Sequence, residues 1–150
     1  MVDASEAGII TVRACNPADV PALWPDVAPL LQTAIDKTHG ERELQDVRRY
    51  IDAGDATLLV CEIAGKIWAA AVLLIVDYER MRGLRVWLMG GNQRDKWQSA
   101  LLAGLEDIAA LVGAVRVEVG VRRGLEPILR AAGYSVAYTE MVRVIAPTAG

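Results

Sequence analysis

Hydrophobic and polar positions in the first quarter of the chain predict one strand and one helix. In the segment "GIITVRAC" apolar side chains alternate with polar ones, which is typical of a strand. The segment "NPADV" then supplies an asparagine cap followed by proline at the first helical position. Because Pro21, Pro25 and Pro29 would interrupt a helix, we expect a turn up to Trp24 and a helix from Pro25 to about Lys37.

The middle of the chain predicts a second helix and three strands. The segment "GERELQDVRRYIDAG" places Leu44, Val47 and Ile51 at helical spacing, and Gly54 marks its end. The segments "ATLLVCEIAG", "KIWAAAVLLIV" and "LRVWLMGG" read as strands. The second of these is apolar on both faces, so we place it at the centre of the sheet. The polar segment "DYERMRG" is the predicted hairpin tip before the third.

The second half of the chain alternates helices with strands. The segment "RDKWQSALLAGLEDIAALVG" has one apolar side, from Trp97 to Val112, and Gly113 follows it. A strand in "AVRVEVGV", a short helix in "RGLEPILRAAGY" and a last strand in "YSVAYTEMVRVI" complete the pattern. The order β-α-α-β-β-β-α-β-α-β predicts an α/β fold. We expect a single domain over residues 1–150, ordered from about 9 to 145, with a central mixed sheet and helices on both faces.

Composition narrows the classes of partner. The chain has 150 residues and is 53% apolar, which suits one packed core. A formal net charge of −3 and a pI near 5.2 argue against nucleic acid as the main partner. The longest apolar run, from Ile67 to Val76, is much shorter than the ~20 residues that span a membrane. With no basic leader segment, we expect a cytoplasmic protein that does not associate with membranes.

Histidine and cysteine are too sparse to suggest metal or triad chemistry. His39 is the only histidine, and it stands beside Gly40 in a predicted loop. We therefore expect no metal site and no Ser-His-Asp triad. Cys15 and Cys61 show no metal-ligand spacing, and we interpret them as reduced thiols in apolar strands, with a single disulfide as the alternative.

The element order and two local stretches resemble the GNAT superfamily, the Gcn5-related N-acyltransferases. The resemblance extends from Ile9 to about Ile145. The stretch "SALLAGLEDIAALVGAVRVEV" is similar to the acyl-CoA-binding helix and fifth strand of that superfamily. The stretch "LEPILRAAGYSV" is similar to its closing helix, which ends in a glycine–aromatic pair, here Gly133-Tyr134. The resemblance implies a GNAT-like fold and, in a working member, N-acetyl transfer from acetyl-CoA.

The turn after the fourth predicted strand departs from the pattern of the superfamily. There a motif of the form Arg/Gln-x-x-Gly-x-Gly/Ala holds the cofactor pyrophosphate with its backbone amides at the start of a helix. Aligned on Arg94, the two small positions are occupied by Trp97 and Ser99. A tryptophan is a steric obstacle to close approach, and Asp95 adds a like charge. On this basis we expect no cofactor.

If acyl-CoA does bind, the resemblance implies that this same corner holds it. Gly90 and Gly91 would present amides to the thioester carbonyl, and Arg94, Lys96 and Arg122 would hold phosphates as charges. The full set of candidate cofactor-binding residues is Met89, Gly90, Gly91, Arg94, Lys96, Trp97 and Ser99.

The sequence predicts no catalytic residue. Members of the superfamily often carry a glutamate base on the fourth strand, but Leu84–Met89 contains no acid. The tyrosine that often acts as general acid in the closing helix is replaced by Leu129 or Ile128. Acidic and phenolic groups at residues 77–79 could approach the cleft mouth, but a hairpin tip carries polar residues in any case.

A narrower resemblance is to GNAT-like proteins of tailed phages and prophages. These carry a Gly-Gly turn followed by a tryptophan, as in Gly90-Gly91 and Trp97, and a basic turn before the last helix, as in Arg122-Arg123-Gly124. Trp24-Pro25 and Gly54 fit the same group. The resemblance implies a protein of phage assembly or of the virion, with phage structural proteins or a second copy as partners.

Two functions follow from these observations. The first is a non-catalytic GNAT-like protein that acts through protein contacts; the missing glycines and the missing acid and base favour it. Its candidate interaction surface is basic and comprises Arg80, Arg82, Arg85, Arg122 and Arg123. The alternative is an acetyl-CoA-dependent N-acetyltransferase with a divergent pyrophosphate loop.

Overall fold

A computed structural model describes residues 9–121 and 123–146. Their contacts group into two compact units, one ending at Val119 and one starting at Gly120, so the single domain over residues 1–150 stays a prediction. Among the described residues, the first unit contains five strands and three α-helices, and the second contains one α-helix. In chain order they are β1 (Ile10–Ala14), α1 (Val20–Ile35), α2 (Leu44–Asp52), β2 (Thr57–Ile63), β3 (Lys66–Asp77), β4 (Arg82–Gly91), α3 (Arg94–Val112), β5 (Arg116–Val119) and α4 (Glu126–Ala131).

The five strands form one mixed sheet in the order β1-β2-β3-β4-β5. The first four are antiparallel neighbours, and β4 and β5 are parallel, as the helix between them requires. The strand β3, apolar on both faces, lies at the centre as predicted. Two strands each carry one extra residue: Trp68 of β3 has no partner in β2, and Trp87 of β4 has no partner in β3. These bulges change the direction of the strands next to the turn that precedes α3.

The helices cover both faces of the sheet, which confirms the predicted α/β class. Helix α1 packs on β3 and β4, whereas α3 packs on β1 and β5. Two adjacent glycines of β4 face opposite sides of the sheet, one toward α1 and the other toward α3. A methyl group at Gly90 would collide with the backbone carbonyl of Leu30 in α1, and one at Gly91 would lie 2.8 Å from the indole of Trp97 in α3. The absence of side chains at these positions lets both helices approach β4 closely.

The core contains the apolar stripes that helical periodicity predicted. Val27, Leu31 and Val47 are fully buried between α1, α2 and the sheet, and Leu101 and Leu105 are buried beneath α3. This burial supplies the main driving force for the layered arrangement.

The predicted break in the first helix is wrong. Helix α1 runs without interruption from Val20 to Ile35 and includes Pro25 and Pro29. All three prolines of this region are exposed and lie on the same side, because they are four residues apart. Pro21 is in the first turn, where proline is tolerated, and Pro25 and Pro29 lie on the exposed side, so the opposite, apolar side keeps its packing.

The predicted last strand is also wrong. Residues 134–144 form neither helix nor strand, although apolar and polar side chains alternate there. A strand also needs a neighbour that satisfies its backbone groups. Alternation of side chains alone does not supply that neighbour, and this segment belongs to none of the strands described above. Its apolar residues, including Met141, Val142 and Val144, are exposed.

Candidate functional site

The candidate site begins where β4 and β5 separate. The parallel pairing of these strands ends at Val86 and Val119, and the bulge at Trp87 follows at once. Strand β4 continues to Gly91 while it remains paired with β3. The segment Trp87–Gly91 thus extends β4 for five residues past its last pair with β5. In a strand, backbone N–H and C=O groups alternate in direction, so this segment turns part of its backbone toward the side that β5 has left.

A tight turn connects this free end of β4 to α3. The amide of Asn92 still donates to the carbonyl of Trp68 in β3, at 3.0 Å. Gln93 then adopts a left-handed conformation, with φ of 52°, and the helix starts at Arg94. A left-handed residue without glycine costs about 1 kcal/mol, which surrounding contacts must offset. The turn therefore places the first residues of α3 directly after the end of β4.

The side chain of Trp97 is buried on the inner side of the connection between β4 and α3. Its side chain is only 2% exposed, and its indole N–H donates to the carbonyl of Asn92 at 2.7 Å. The ring packs against the Cα of Gly91. From the sequence we expected the indole of Trp97 to obstruct the close approach of a phosphate. Because the indole is buried, it does not occupy the outer side of the turn. Residues 91–96 are all exposed around it.

The start of α3 is open and carries mixed charge. No side chain caps the helix at Gln93, and the amide of Lys96 is the one that bonds back to the Gln93 carbonyl. The first amides of a helix have no partner within it and create positive potential. Lys96 adds a cation and stands 5.2 Å from the ring of Trp68, whereas Asp95 adds an anion. An anionic ligand would be attracted by the helix amides and by Lys96 and repelled by Asp95.

The structure brings the predicted cofactor-binding residues to one corner. Met89, Gly90 and Gly91 form the end of β4, and Arg94, Lys96, Trp97 and Ser99 lie in the first two turns of α3. Trp97 is buried and supports the turn, while Arg94 and Ser99 are exposed. Whether they bind a cofactor remains a prediction.

The acidic and phenolic groups of the hairpin tip lie at the other end of β4. Asp77 pairs with Arg82, with Nε and Oδ1 2.6 Å apart, at the start of β4, where β5 is still paired with it. Tyr78 donates to Glu118, a residue of β5, at 2.7 Å. The expectation that residues 77–79 approach the cleft mouth is therefore not supported. Of the two positions at which the resemblance implied a tyrosine, Leu129 is buried in α4 and Ile128 is exposed.

Among the carboxylates of the described residues, Glu118 accepts the largest number of hydrogen bonds. It accepts hydrogen bonds from Tyr78, from Arg116 and from Arg85, all at 3.0 Å or less. Burial by itself would raise the pKa of Glu118, but the hydrogen bonds from Tyr78, Arg116 and Arg85 outweigh it and lower the pKa below its usual value. A carboxylate held in this state is a poor proton acceptor, and its role is to join the hairpin tip to β5.

The predicted basic surface is used in part within the fold. Arg82 binds Asp77 and also donates to the carbonyl of Val112 at the end of α3, at 2.8 Å, where a cation stabilises the helix dipole. Arg85 is paired with Glu118. Arg80 is exposed at the hairpin tip. Arg122 lies outside the described residues, and the side chain of Arg123 is not described.

An aromatic and cationic group stands on the face of β4 that α1 and α2 cover. The rings of Trp87 and Tyr50 are 5.2 Å apart at an angle of 53°, and the guanidinium of Arg42 lies 4.9 Å from the Trp87 ring. Sequence reasoning missed this group, because its members come from a loop, a helix and a bulge and share no spacing. The sequence analysis placed Arg42 in the second predicted helix, whereas the structure places it in an exposed loop before that helix.

The remaining candidate chemistry concerns metals, thiols and membranes. Within residues 9–121 and 123–146, no three His, Cys, Asp or Glu side chains form a group suited to a metal ion. Cys15 and Cys61 are both buried and unbridged, and burial raises the pKa of both thiols. None of the described helices combines the length and the apolar character that crossing a bilayer demands.

Known structures share this arrangement over nearly the whole chain. One is glucosamine-6-phosphate N-acetyltransferase from Arabidopsis thaliana, with 15% identity, a TM-score of 0.62 and coverage of 92% of this chain and 99% of that one. A GNAT family acetyltransferase from Staphylococcus aureus has 13% identity, a TM-score of 0.67 and coverage of 91% and 98%. The ribosomal-protein-alanine N-acetyltransferase from Brucella melitensis biovar Abortus has 12% identity, a TM-score of 0.65 and coverage of 92% and 100%.

These similarities establish the fold. No protein-family model and no curated protein sequence matches the chain. The chain has the fold of the GNAT acetyltransferases, which confirms the fold predicted from its element order. At identities of 11–16% the likeness extends to the fold alone.

Proposed function

We propose that this chain binds an acyl-CoA where β4 and β5 separate and transfers the acyl group to an amine, as an N-acetyltransferase. The observation that carries the proposal is the free end of β4, Trp87–Gly91, which continues past its last pair with β5 and leads into the uncapped start of α3. An extended ligand with a diphosphate at one end can use both features, because unpaired strand backbone offers hydrogen bonds along its length and helix amides attract anions.

The residues present fit such a cofactor. The exposed amides at the start of α3, together with Arg94 and Lys96, would hold the pyrophosphate. The inward orientation of Trp97 leaves the outer side of the turn to the ligand. Backbone amides come from any residue, so loss of the glycine motif does not by itself remove the binding groups. Asp95 weakens the site and sets it apart from a glycine-rich loop.

The chemistry of the site follows from what the chain supplies. When bound, acyl-CoA would supply an activated acyl group as a thioester. The free β4 segment would orient that group with its backbone and offer amide N–H groups to the carbonyl oxygen. Strand β4 carries no Asp or Glu, and Glu118 is held by its donors. The proton that the acceptor amine loses would therefore pass to water or to a group outside β4.

The proposal is tested by acetyl-CoA binding followed by turnover. At acetyl-CoA 100 times its Kd, the melting temperature should rise by several degrees, since the stabilisation is about 2.7 kcal/mol. Release of free CoA should then depend on an added amine. No shift of the melting temperature at millimolar acetyl-CoA would contradict the proposal.

A second candidate function is a non-catalytic protein that acts through contacts, in phage assembly or in the virion. Asp95 at the open start of α3 and Leu129 in α4 favour it, because one disfavours a diphosphate and the other lacks a transferable proton. It predicts that the protein copurifies with capsid or tail proteins and that added acetyl-CoA has no effect. Amine-dependent CoA release, together with absence from purified particles, would eliminate it.

A further inference from the structure

Arg42 stands apart from the arginines that are paired within the fold. Seven others make ion pairs with carboxylates: Arg13, Arg48, Arg49, Arg82, Arg85, Arg116 and Arg130. In the part of the chain that the structure describes, Arg42 makes no hydrogen bond through its guanidinium and no ion pair. The acids beside it are bonded elsewhere: Glu41 accepts from the amide of His39, and Glu43 accepts from Gln45.

Two aromatic rings hold Arg42 in place of a carboxylate. Its guanidinium carbon lies 4.9 Å from the ring centroid of Trp87 and 6.0 Å from that of Tyr50. A guanidinium that stacks on aromatic rings keeps its N–H donors available at its edge, and less side-chain freedom is lost when it binds an acceptor. Arg42 is thus an anchored cation with unused donors.

The position of Arg42 relates it to the free end of β4. Trp87 is the bulge residue of β4, directly after the last pair with β5. Arg42 lies in the loop between α1 and α2, on the sheet face that these helices cover. A molecule bound to Arg42 would therefore lie beside the segment that we assign to the acyl group.

We propose that Arg42, supported by Tyr50 and Trp87, binds an anionic group of the acceptor molecule. The acceptor would then be an amine that also carries a carboxylate or a phosphate, the two groups that match the planar fork of arginine. This inference rests on the proposed acyl transfer for the role of the amine, but the anion site itself is independent of acyl-CoA.

The test uses two pairs of amines that differ only in the anionic group. One pair is glucosamine 6-phosphate and glucosamine, and the other is β-alanine and β-alaninamide. The full-length 15N-labelled chain is titrated with each compound in the absence of acetyl-CoA. The Trp87 indole N–H and the Arg42 side-chain Nε–H signals report on the site. We expect saturable shifts with the anionic member of one pair, at least tenfold weaker binding of its neutral counterpart, and no response in Arg42→Ala.

A matched control is available in Arg48. Its guanidinium lies 4.8 Å from the ring of Trp24, but it is already paired with Asp52, with Nε and Oδ1 3.0 Å apart. Arg48→Ala removes the same kind of side chain and should leave the titration unchanged. The pair that responds distinguishes a phosphate from a carboxylate. The anion site is contradicted if neither anionic compound shifts the two signals, if the neutral members shift them equally, or if the response persists in Arg42→Ala.

The two proposals fail separately. If the anionic probe binds but acetyl-CoA does not raise the melting temperature, the anion site stands and acyl transfer is wrong. If acetyl-CoA binds and the Arg42 signal responds to no anionic probe, the acyl-CoA site stands and the acceptor class is wrong.

Discussion

The indole of Trp97 in α3 donates a hydrogen bond of 2.7 Å to the backbone carbonyl of Asn92, the first residue after β4. This bond spans the turn at which the superfamily has its glycine motif. The tryptophan therefore supports the turn from inside, and the outer surface, at residues 91–96, is left exposed. In the sequence, Trp97 argued against cofactor binding. In the structure, it stabilises the turn of the candidate site.

Trp97→Phe should loosen this turn without emptying the core. The phenyl ring keeps most of the buried surface but cannot donate to Asn92, so we expect a loss of about 1 kcal/mol in the free energy of unfolding. Acetyl-CoA should also bind more weakly. Trp24→Phe is the control, because the Trp24 indole makes no hydrogen bond to any described residue. Equal effects of the two substitutions on urea unfolding and on affinity would contradict this role.

Asp95→Asn should strengthen acetyl-CoA binding. Asp95 lies in the first turn of α3, where its charge opposes an anionic ligand. Charges at helix ends contribute about 0.3–1 kcal/mol, so we expect a gain in affinity of about two- to fivefold. Asp107→Asn makes the same change on the same helix about 18 Å further along and should have no effect. Calorimetric titration of both variants makes the comparison, and no difference between them would argue against binding at this turn.

Gly90→Ala should destabilise the chain by about 2 kcal/mol or more, as expected for overpacking against backbone. The added methyl group would collide with the carbonyl oxygen of Leu30, and a backbone atom cannot move as a flexible side chain can. At Gly120 an added methyl group meets no heavy atom within 4 Å, so Gly120→Ala is the control. Thermal unfolding of both variants measures the difference. A stable Gly90→Ala variant would mean that α1 and β4 are further apart than described.

Glu118→Gln should lower stability at neutral pH by about 1.5–3 kcal/mol, the usual range for hydrogen bonds to a charged group. Glu118 holds Tyr78, Arg85 and Arg116 together at the β5 end of the hairpin. Glu126→Gln is the control, because it breaks an exposed pair with Arg130 and should cost less than about 1 kcal/mol.

The effect of Glu118→Gln should depend on pH. Burial by itself raises the pKa of Glu118, but the hydrogen bonds that it accepts have the larger opposite effect. The pKa therefore lies below its ordinary value of 4.5. A lowered pKa stabilises the folded state above about pH 4.5, and this contribution disappears as the pH falls through the folded-state pKa. The difference in melting temperature between wild type and Glu118→Gln should therefore be constant from pH 7 to about 5 and shrink below that range. A difference that grows toward acid would contradict this account.

Periodicity in the sequence was sufficient for most of the fold. The central position of β3 follows from its apolar residues on both faces, and the parallel pairing of β4 and β5 follows from the helix between them. Two predictions failed, the break in the first helix and the last strand, because tertiary structure overrode what the local sequence indicated. Pro25 and Pro29 fit inside α1 because they are exposed on one side, and residues 134–144 form no strand although their apolar and polar side chains alternate.

The candidate site was predictable only in part. The corner formed by Gly90, Gly91 and the start of α3 follows from a strand–turn–helix pattern. The direction of the Trp97 side chain does not, since residue type alone gives no orientation. The group formed by Arg42, Tyr50 and Trp87 depends on a bulge in β4, and no sequence signal marks a single unpaired residue in a strand.

The most direct test of the acyl-CoA site is a residue-by-residue map of acetyl-CoA binding by 1H–15N spectroscopy of the full-length labelled chain. We predict that the largest saturable shifts fall on the backbone amides of residues 87–96, from the bulge of β4 to the first turn of α3. Shifts confined to other parts of the chain, or none at millimolar acetyl-CoA, would contradict the account.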